Sequence, residues 1–429
     1  AVLVAALKPR QSPFEARPVW MKSWNNLLIA AAAAAGWVGL EWLREVVFTG
    51  FGWNNLGIAL HENIALIQIC DLTGVGGLSF LIVMVNLILV LTAKRLRVEI
   101  GHHKLRPHYD FSLTVALVAI VFGYGVRELF KKPVPSAPIS IAAIQGNVPI
   151  HEKRDPAQEE EILEEHIRLT EDAMAMQPDL IIWPEAATPQ PLFSDQRSWD
   201  VVRSLAEKHS GDFLLGTVNL DTTGDFNSAV LLTENGRTAQ TYNKIHLVPF
   251  GEFLPFRSLV PYPAWVTSQV PGDFDSGREP TLLEMAHRPV KIAALICFED
   301  TLGDLARRFV RQGAQLFVVL TNDGWFLKSA GARQHVQHSI FRCAETKIPM
   351  VRAANTGLTC IIDSHGRILH SLEDAEGGMF FEGILFSEVD VPQDPKMTFY
   401  TRYGDAFSLT CLGAGILTGG FLILRRREN

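Results

Sequence analysis

Long runs of apolar residues constrain this chain more than any other feature of its sequence. A helix needs about 20 mostly apolar residues to cross the hydrocarbon core of a bilayer. Four runs approach or reach that length: Trp24–Leu43, Leu78–Ala93, Ser112–Phe130 and Ala406–Leu424. Four such runs in one chain are not typical of a soluble protein, so we predict four membrane-spanning helices, with a long and less apolar segment between the last two.

These runs divide the chain into three parts. We predict a transmembrane helical region over residues 1–130, a large domain outside the membrane over 131–404, and a final transmembrane helix with a basic tail over 405–429. The chain starts at an alanine within the apolar stretch AVLVAAL, and we therefore expect the natural protein to extend upstream. A net charge of −7 argues against a nucleic-acid partner.

Basic residues between the second and third runs predict the orientation of the helices. They are Lys94, Arg95, Arg97, Lys104 and Arg106. Because lysine and arginine concentrate in cytoplasmic loops, this loop is expected in the cytoplasm. The third helix then leaves the cytoplasm, which places the 131–404 domain on the opposite side of the membrane.

The pattern changes from residue 139 onward to short apolar runs that alternate with amphipathic stretches. This alternation predicts an α/β domain with a layered αββα arrangement. The predicted strands are Ile139–Gln145, Leu180–Trp183, Phe213–Val218, Ser228–Thr233, Val290–Ile296, Leu316–Leu320, Met350–Ala353, Leu358–Ile362 and Gly383–Val389. The predicted helices are Pro156–Met176, Ser198–His209, Leu302–Gln312 and Ala332–Thr346.

Two of the predicted strands lead directly into side chains that can take part in acyl transfer. Glu185 follows the strand that begins at Leu180, and Cys297 follows the strand that ends at Ile296, while Lys244 lies between them in an apolar neighbourhood. A thiol is a poor nucleophile until a base removes its proton or a cation lowers its pKa. A carboxylate and a lysine can supply that base and that cation.

Each of these residues also has a plain structural interpretation. A cysteine at a strand end is usually a small buried hydrophobe, and a lysine beside polar residues is usually a surface charge. The spacing alone therefore leaves three possibilities open, namely an acyl-transfer enzyme, a membrane-tethered amidase or nitrilase, and a non-catalytic membrane scaffold.

Longer motifs favour the acyl-transfer enzyme. The segments WPEAATP, YNKIHLVPFGEFLP, ICFED and TNDGWF, in this order, resemble the carbon–nitrogen hydrolase (nitrilase) superfamily with its Glu-Lys-Cys triad. The segments NKIHLVPFGEFLP, TGFGW and DLTGVGGLSFLIV resemble one branch, the apolipoprotein N-acyltransferases. The resemblance extends from the first apolar run to the arginine-rich tail. It implies a nitrilase-like αββα sandwich domain inserted between transmembrane helices.

The resemblance also implies an activity and a location. The expected reaction is N-acylation of the N-terminal diacylglyceryl-cysteine of bacterial apolipoproteins, in a ping-pong sequence through a cysteine thioester. The expected acyl donor is a phospholipid, with phosphatidylethanolamine favoured, and no cofactor is expected. The protein is expected in the bacterial inner membrane, with its catalytic domain facing the periplasm.

Roles for individual residues follow from the same resemblance. Glu185 is expected to act as general base, Lys244 as oxyanion stabiliser and Cys297 as nucleophile. Glu252 is expected to orient the lysine, and Phe298 and Glu299 flank the nucleophile in a supporting role. Phe298 stands where some relatives have Tyr, and Arg154 stands where relatives often have Trp.

An apolar segment rich in proline, residues 253–270, follows Glu252 and is unsuited to a long helix or an inner strand. We expect it to form a lid that contacts membrane lipid and admits acyl chains. The expected substrate-binding residues are Phe253, Phe256 and Trp265 in this segment, together with Trp325 and Phe326.

Histidines and the other cysteines predict no metal centre. His102 with His103, and His335 with His338, have no third ligand at a recognisable spacing, so structural roles are expected. Cys343 and Cys360 are candidates for a disulfide, but sequence does not give their separation.

Overall fold

The computed structural model describes residues 19–48, 50–103, 105–149, 152–233, 236–256, 259–267 and 273–427, with backbone alone at 154, 266 and 420–427. The stretch AVLVAAL lies outside these residues. The chain forms two compact units. The first comprises the chain up to Lys131 together with the segment from Tyr403 onward, and the second is Lys132–Arg402.

The first unit is helical. Its helices are α1 (Val19–Val46), α2 (Ile64–Ile67), α3 (Cys70–Thr73), α4 (Val75–Gly101), α5 (Tyr109–Leu129) and a last helix, α12 (Ala406–Arg427), with a 3₁₀ turn at Leu56–Leu60. Three of them, α1, α4 and α5, are long and apolar enough to cross a membrane. The part of α12 whose side chains are described, Ala406–Gly419, is apolar but shorter, so the fourth span stays a prediction.

The helix α4 continues two turns beyond the predicted run. It ends at Gly101, so the first three basic residues assigned to the loop belong to the helix instead. One of them, Arg95, is buried and lies 3.2 Å from Asp110 Oδ1, which also accepts a hydrogen bond from Ser23 Oγ at 3.1 Å. This buried ion pair joins the ends of α1, α4 and α5.

The second unit contains two six-stranded sheets of mixed direction. Their strands are β1 (Ser136–Gln145), β2 (Leu180–Ile182), β3 (Asp212–Asp221), β4 (Gly224–Thr233), β5 (Thr238–Asn243), β6 (Leu283–Glu284), β7 (Lys291–Ile296), β8 (Leu316–Thr321), β9 (Met350–Ala354), β10 (Cys360–Ile362), β11 (Ile368–Ser371) and β12 (Gly383–Pro392). The strand orders are β12-β1-β2-β3-β4-β5 and β11-β10-β9-β8-β7-β6. Every predicted strand overlaps an observed one.

The helices described between β1 and the last helix are α6 (Glu159–Met174), α7 (Gln196–Lys208), α8 (Ala264–Thr267), α9 (Gly303–Arg311), α10 (Gly331–Thr346) and α11 (Phe399–Tyr403). Apolar side chains of α6 and α7 pack on the first sheet around the fully buried Trp183, whose ring lies edge-on to Phe213 at 5.3 Å. The predicted α/β sandwich is confirmed, and parallel pairing aligns the ends of β1–β3 in one sheet and of β7–β9 in the other.

Candidate active site

The proposed base, Glu185, lies three residues beyond the end of β2 and is almost fully buried. Its Oε1 accepts a hydrogen bond from Asn227 Nδ2 at 2.8 Å, and its Oε2 accepts one from the backbone N–H of Asn322 at 3.0 Å. Lys153 Nζ donates to its main-chain oxygen at 2.9 Å. The next residue, Ala186, has φ +45°, a left-handed conformation that non-glycine residues rarely adopt. The carboxylate is therefore held in one orientation from several sides.

The lysine follows the end of β5, and its ammonium group contacts two carboxylates. Lys244 Nζ donates to Glu252 Oε1 at 2.8 Å and lies 3.7 Å from Glu185 Oε1. Burial alone would lower the pKa of Lys244, but the charges of Glu252 and Glu185 outweigh it and raise that pKa above its usual range. Burial would likewise raise the pKa of Glu252, yet Lys244 holds it below the usual value. Both groups are therefore ionised at neutral pH.

A side-chain amide joins the two carboxylates. Asn227, on β4, donates through Nδ2 to Glu185 Oε1 at 2.8 Å and to Glu252 Oε1 at 3.0 Å. Sequence reasoning missed this residue, because a lone asparagine within an apolar strand carries no recognisable motif. Asn227 is only 5% exposed, and this burial of a polar side chain, which marks it as a candidate site residue, is visible only in the folded structure.

The cysteine begins the 3₁₀ turn Cys297–Thr301 directly after β7. It has φ +53°, so the chain enters the turn through a left-handed residue. The residue is half-buried, whereas Cys70, Cys343, Cys360 and Cys411 are buried. Burial raises the pKa of Cys297 well above its usual value, and the charge of Glu185 raises it further against the opposing charge of Lys244. The thiol is therefore protonated at neutral pH, and its activation needs a base.

Glu299, two residues beyond the cysteine, holds the lysine segment against the cysteine turn. Its Oε1 accepts hydrogen bonds from the backbone N–H of Ile245 at 2.7 Å and from Tyr242 Oη at 2.8 Å, while its Oε2 accepts one from the N–H of Ile296 at 2.8 Å. Burial raises the pKa of Glu299, although these donors and Lys244 oppose the rise. The predicted supporting position thus connects the two segments that carry Lys244 and Cys297.

The other supporting residue, Phe298, contributes an aromatic contact. Phe298 is buried, and its ring stacks on His246 with centroids 5.8 Å apart. Lys153 is a further neighbour of the site that sequence reasoning did not single out. Burial lowers its pKa to about 8, and the charge of Glu185 opposes that shift.

The predicted substrate-binding residues fall into two groups. Phe256, Trp265 and Trp325 expose 56%, 73% and 52% of their surface. Phe253 is half-buried beside an isolated bridge to Pro249, and Phe326 packs edge-on against His335 at 5.9 Å. The segment 253–270 is described only through 256 and over 259–267, and residue 270 lies outside the described residues.

Neither a metal cluster nor a disulfide involves the residues singled out from the sequence. Within the described ranges no group of three or more histidine, cysteine, aspartate or glutamate side chains is arranged to hold a metal ion. Cys343 and Cys360 are both buried free thiols. His335 and His338 are buried, and His335 contacts carboxylates on both ring nitrogens.

Two mixed sheets with a glutamate after β2, a lysine after β5 and a cysteine after β7 are the features of a carbon–nitrogen hydrolase. The family profile described as Carbon-nitrogen hydrolase matches residues 140–393 of this chain. Among similar solved structures is an amidase from Nesterenkonia sp. AN1, which is 16% identical with a TM-score of 0.45, covering 62% of this chain and 97% of the amidase. The profile match places the second unit in the carbon–nitrogen hydrolase family, which is a family of enzymes.

The helical unit specifies the family further. A profile for the apolipoprotein N-acyltransferase N-terminal domain matches residues 2–88. The apolipoprotein N-acyltransferase of Geobacter metallireducens is 36% identical over 91% of this chain and 74% of its own length. That of Nitrosomonas europaea is 30% identical over 97% of this chain and 80% of its own length. The chain belongs to the apolipoprotein N-acyltransferase family and is a membrane enzyme of the acyltransferase class.

Proposed function

We propose that this enzyme transfers an acyl chain from a phospholipid to the α-amine of the N-terminal diacylglyceryl-cysteine of apolipoproteins, through a thioester on Cys297. Family membership supports lipoprotein N-acylation in general. The observation that carries the mechanism is the convergence of two carboxylates and one lysine, all largely buried, on the thiol of the half-buried Cys297.

The first half-reaction forms the thioester. Glu185 takes the proton of Cys297 as the sulfur attacks an ester carbonyl of the donor, because burial keeps the resting thiol protonated. Lys244, which Glu252 keeps charged, stabilises the negative charge that develops on the carbonyl oxygen. The ester C–O bond then breaks, the lysophospholipid leaves with the proton from Glu185, and the acyl chain stays on sulfur.

The second half-reaction forms the amide. The α-amine of the acceptor attacks the thioester carbonyl and Glu185 accepts the amine proton. The C–S bond then breaks, and Glu185 passes this proton to the leaving sulfur, which restores the thiol. Two lipid substrates require apolar surface near the site, and we propose that Phe256, Trp265 and Trp325, whose aromatic side chains are exposed, form it. We propose that the segment 253–270 is a lid for acyl chains and that phosphatidylethanolamine is the preferred donor.

We further propose that α1, α4, α5 and α12 span the bacterial inner membrane and that the 131–404 domain faces the periplasm. The basic residues at the end of α4 and in the loop that follows support this orientation. Protease treatment of spheroplasts should cleave the catalytic domain while the cytoplasmic side stays protected. Cleavage only after the membrane is permeabilised would reverse the assignment.

The acceptor is tested by following an acyl-labelled phospholipid with the purified full-length enzyme. With a diacylglyceryl-cysteinyl peptide present, the label should appear on the peptide α-amine in wild-type enzyme and not in Cys297→Ala. If the label appears as free fatty acid whether or not the peptide is present, water is the acceptor and the enzyme is a membrane-tethered hydrolase. If Cys297→Ala transfers the label normally, the chain acts without this thiol and the proposal fails.

A further inference from the structure

Four charged side chains form a closed ring in the interior of the catalytic unit, next to the proposed active site but outside the triad. They are Asp300, Asp323, His335 and Arg352, each at most 1% exposed. They come from the turn after β7, the turn after β8, α10 and β9, respectively. Nothing in the proposed chemistry uses them, yet four buried charges are costly to remove from water.

The ring alternates in charge around its whole length. Arg352 Nη1 lies 2.6 Å from Asp300 Oδ2, and its Nη2 lies 3.0 Å from Asp323 Oδ2. On the other side, His335 Nε2 lies 2.9 Å from Asp300 Oδ1, and its Nδ1 lies 2.7 Å from Asp323 Oδ1. Each cation therefore contacts both carboxylates.

The surroundings of the histidine favour its charged form. Nε2 lies 2.9 Å from Asp300 and Nδ1 lies 2.7 Å from Asp323, and an imidazolium can donate to both carboxylates. Arg352 Nη2 also lies 2.8 Å from Nδ1, so the charge of the arginine opposes that of the imidazolium. Burial alone would lower the pKa of His335, but Asp300 and Asp323 outweigh burial and the nearby Arg352, and the pKa rises to about 9. At neutral pH the ring thus contains two positive and two negative charges and is neutral.

The two carboxylates lie in the two turns that carry active-site groups. Asp300 belongs to the same 3₁₀ turn as Cys297. Asp323 follows Asn322, whose backbone N–H donates to Glu185 Oε2 at 3.0 Å. We infer that the ring positions the active site by joining the turn of the nucleophile to the turn that holds the base. The four members are positioning residues, and this inference adds them to the proposed function on which it rests.

If the ring positions the active site and does not only stabilise the fold, a change in its charge should alter the reactivity of the Cys297 thiol. The groups that act on the Cys297 thiol are Glu185, Lys244, Asp323 and Glu252, so one member of the ring already contributes. If the imidazolium is lost, the ring carries a net negative charge beside the thiol. That charge disfavours the thiolate, and the thiol becomes less reactive at a given pH.

Alkylation of Cys297 by iodoacetamide, followed by peptide mapping, tests the inference without any lipid. The other four cysteines are buried, so the half-buried Cys297 is the thiol expected to react. In detergent-purified full-length enzyme, His335→Gln should slow alkylation about fivefold between pH 7 and 8. The difference should shrink above pH 9, where wild-type His335 loses its own proton.

The matched control is Glu345→Gln on the same helix, which breaks the buried Arg342–Glu345 ion pair at 2.8 Å. Alkylation of this control should stay within twofold of wild type, even if its thermal midpoint falls. If His335→Gln folds and its alkylation profile coincides with wild type or with the control, the inference is wrong.

Arg352→Lys provides a second test, since it keeps the charge but loses the two-armed contact. It should slow alkylation at least threefold, and an unchanged rate would overturn the inference. If both variants fail to fold, the ring is a folding requirement rather than a positioning device.

Acyl-enzyme formation is measured in parallel. If wild-type enzyme forms no acyl-enzyme while His335→Gln and Arg352→Lys slow alkylation as described, the proposed function fails and the positioning inference stands.

Discussion

Replacement of Asn227 by alanine tests how the proposed base is held. The Asn227 amide donates to Glu185 at 2.8 Å and to Glu252 at 3.0 Å, so the variant removes one hydrogen bond from each carboxylate. Glu185 keeps the backbone N–H of Asn322 and the nearby charge of Lys244. The carboxylate therefore stays in place near the site but is less firmly oriented toward the thiol.

The magnitude follows from the hydrogen bond to Glu185. A hydrogen bond to a charged group contributes about 1.5–3 kcal/mol. At about 1.4 kcal/mol for each factor of ten in rate, its loss predicts acyl-enzyme formation slower by about 10- to 150-fold. Binding of the donor should change little, because the apolar surface that is proposed to hold the acyl chain is untouched.

The assay is a single-turnover measurement of acyl transfer from a labelled phospholipid to the enzyme over a range of donor concentrations. The control is Thr233→Val at the far end of the same strand, which removes a buried hydroxyl away from the carboxylates. The control should retain wild-type rates within twofold. If Asn227→Ala stays within threefold of wild type, or if the control loses as much, the assigned role of the amide is refuted.

Three further predictions concern the lysine, the buried ring and the lid. Glu252→Gln leaves Lys244 with one carboxylate neighbour, so acyl-enzyme formation should fall about tenfold or more; an unchanged single-turnover rate would contradict the role of Glu252. The pKa of His335 is raised to about 9, so its protonation adds about 3 kcal/mol to the free energy of unfolding. This contribution is complete below about pH 6.5 and is lost as pH rises through 9. Urea unfolding of the full chain in detergent should therefore show a smaller alkaline loss in His335→Gln, and parallel curves for the two proteins would contradict this. Trp265→Ser should raise the half-saturating donor concentration about tenfold at an unchanged maximal rate; an unchanged half-saturating concentration would remove Trp265 from the lid.

The layered fold was predictable from the sequence because most strands are continuous apolar runs. Strands such as β7 and β8 are buried on both faces and therefore stand out in the sequence. The strands that sequence reasoning missed are β5, β6 and β11. The sequence of β5 is TAQTYN, β6 has two residues, and β11 is largely exposed, so none of them shows the alternation or the apolar run on which prediction depends.

The candidate site was predictable only in part, because some of its residues act through contacts that form only in the folded chain. Glu185, Lys244 and Cys297 stand in long motifs, whereas Asn227 and Arg352 act through contacts with residues far away in the chain. A residue whose role depends on distant neighbours leaves no local pattern. The same holds for the charge of His335, since its two carboxylates become neighbours only when β7 and β8 pair.

Intact-protein mass spectrometry after incubation with phosphatidylethanolamine tests the central claim most directly. Wild-type enzyme should gain the mass of one acyl chain, hydroxylamine should remove it, and peptide mapping should place it on Cys297. The Cys297→Ala variant, folded by the same thermal criterion, should gain nothing. A folded wild-type sample that gains no mass, or an adduct that persists in Cys297→Ala, would contradict the proposed thioester mechanism.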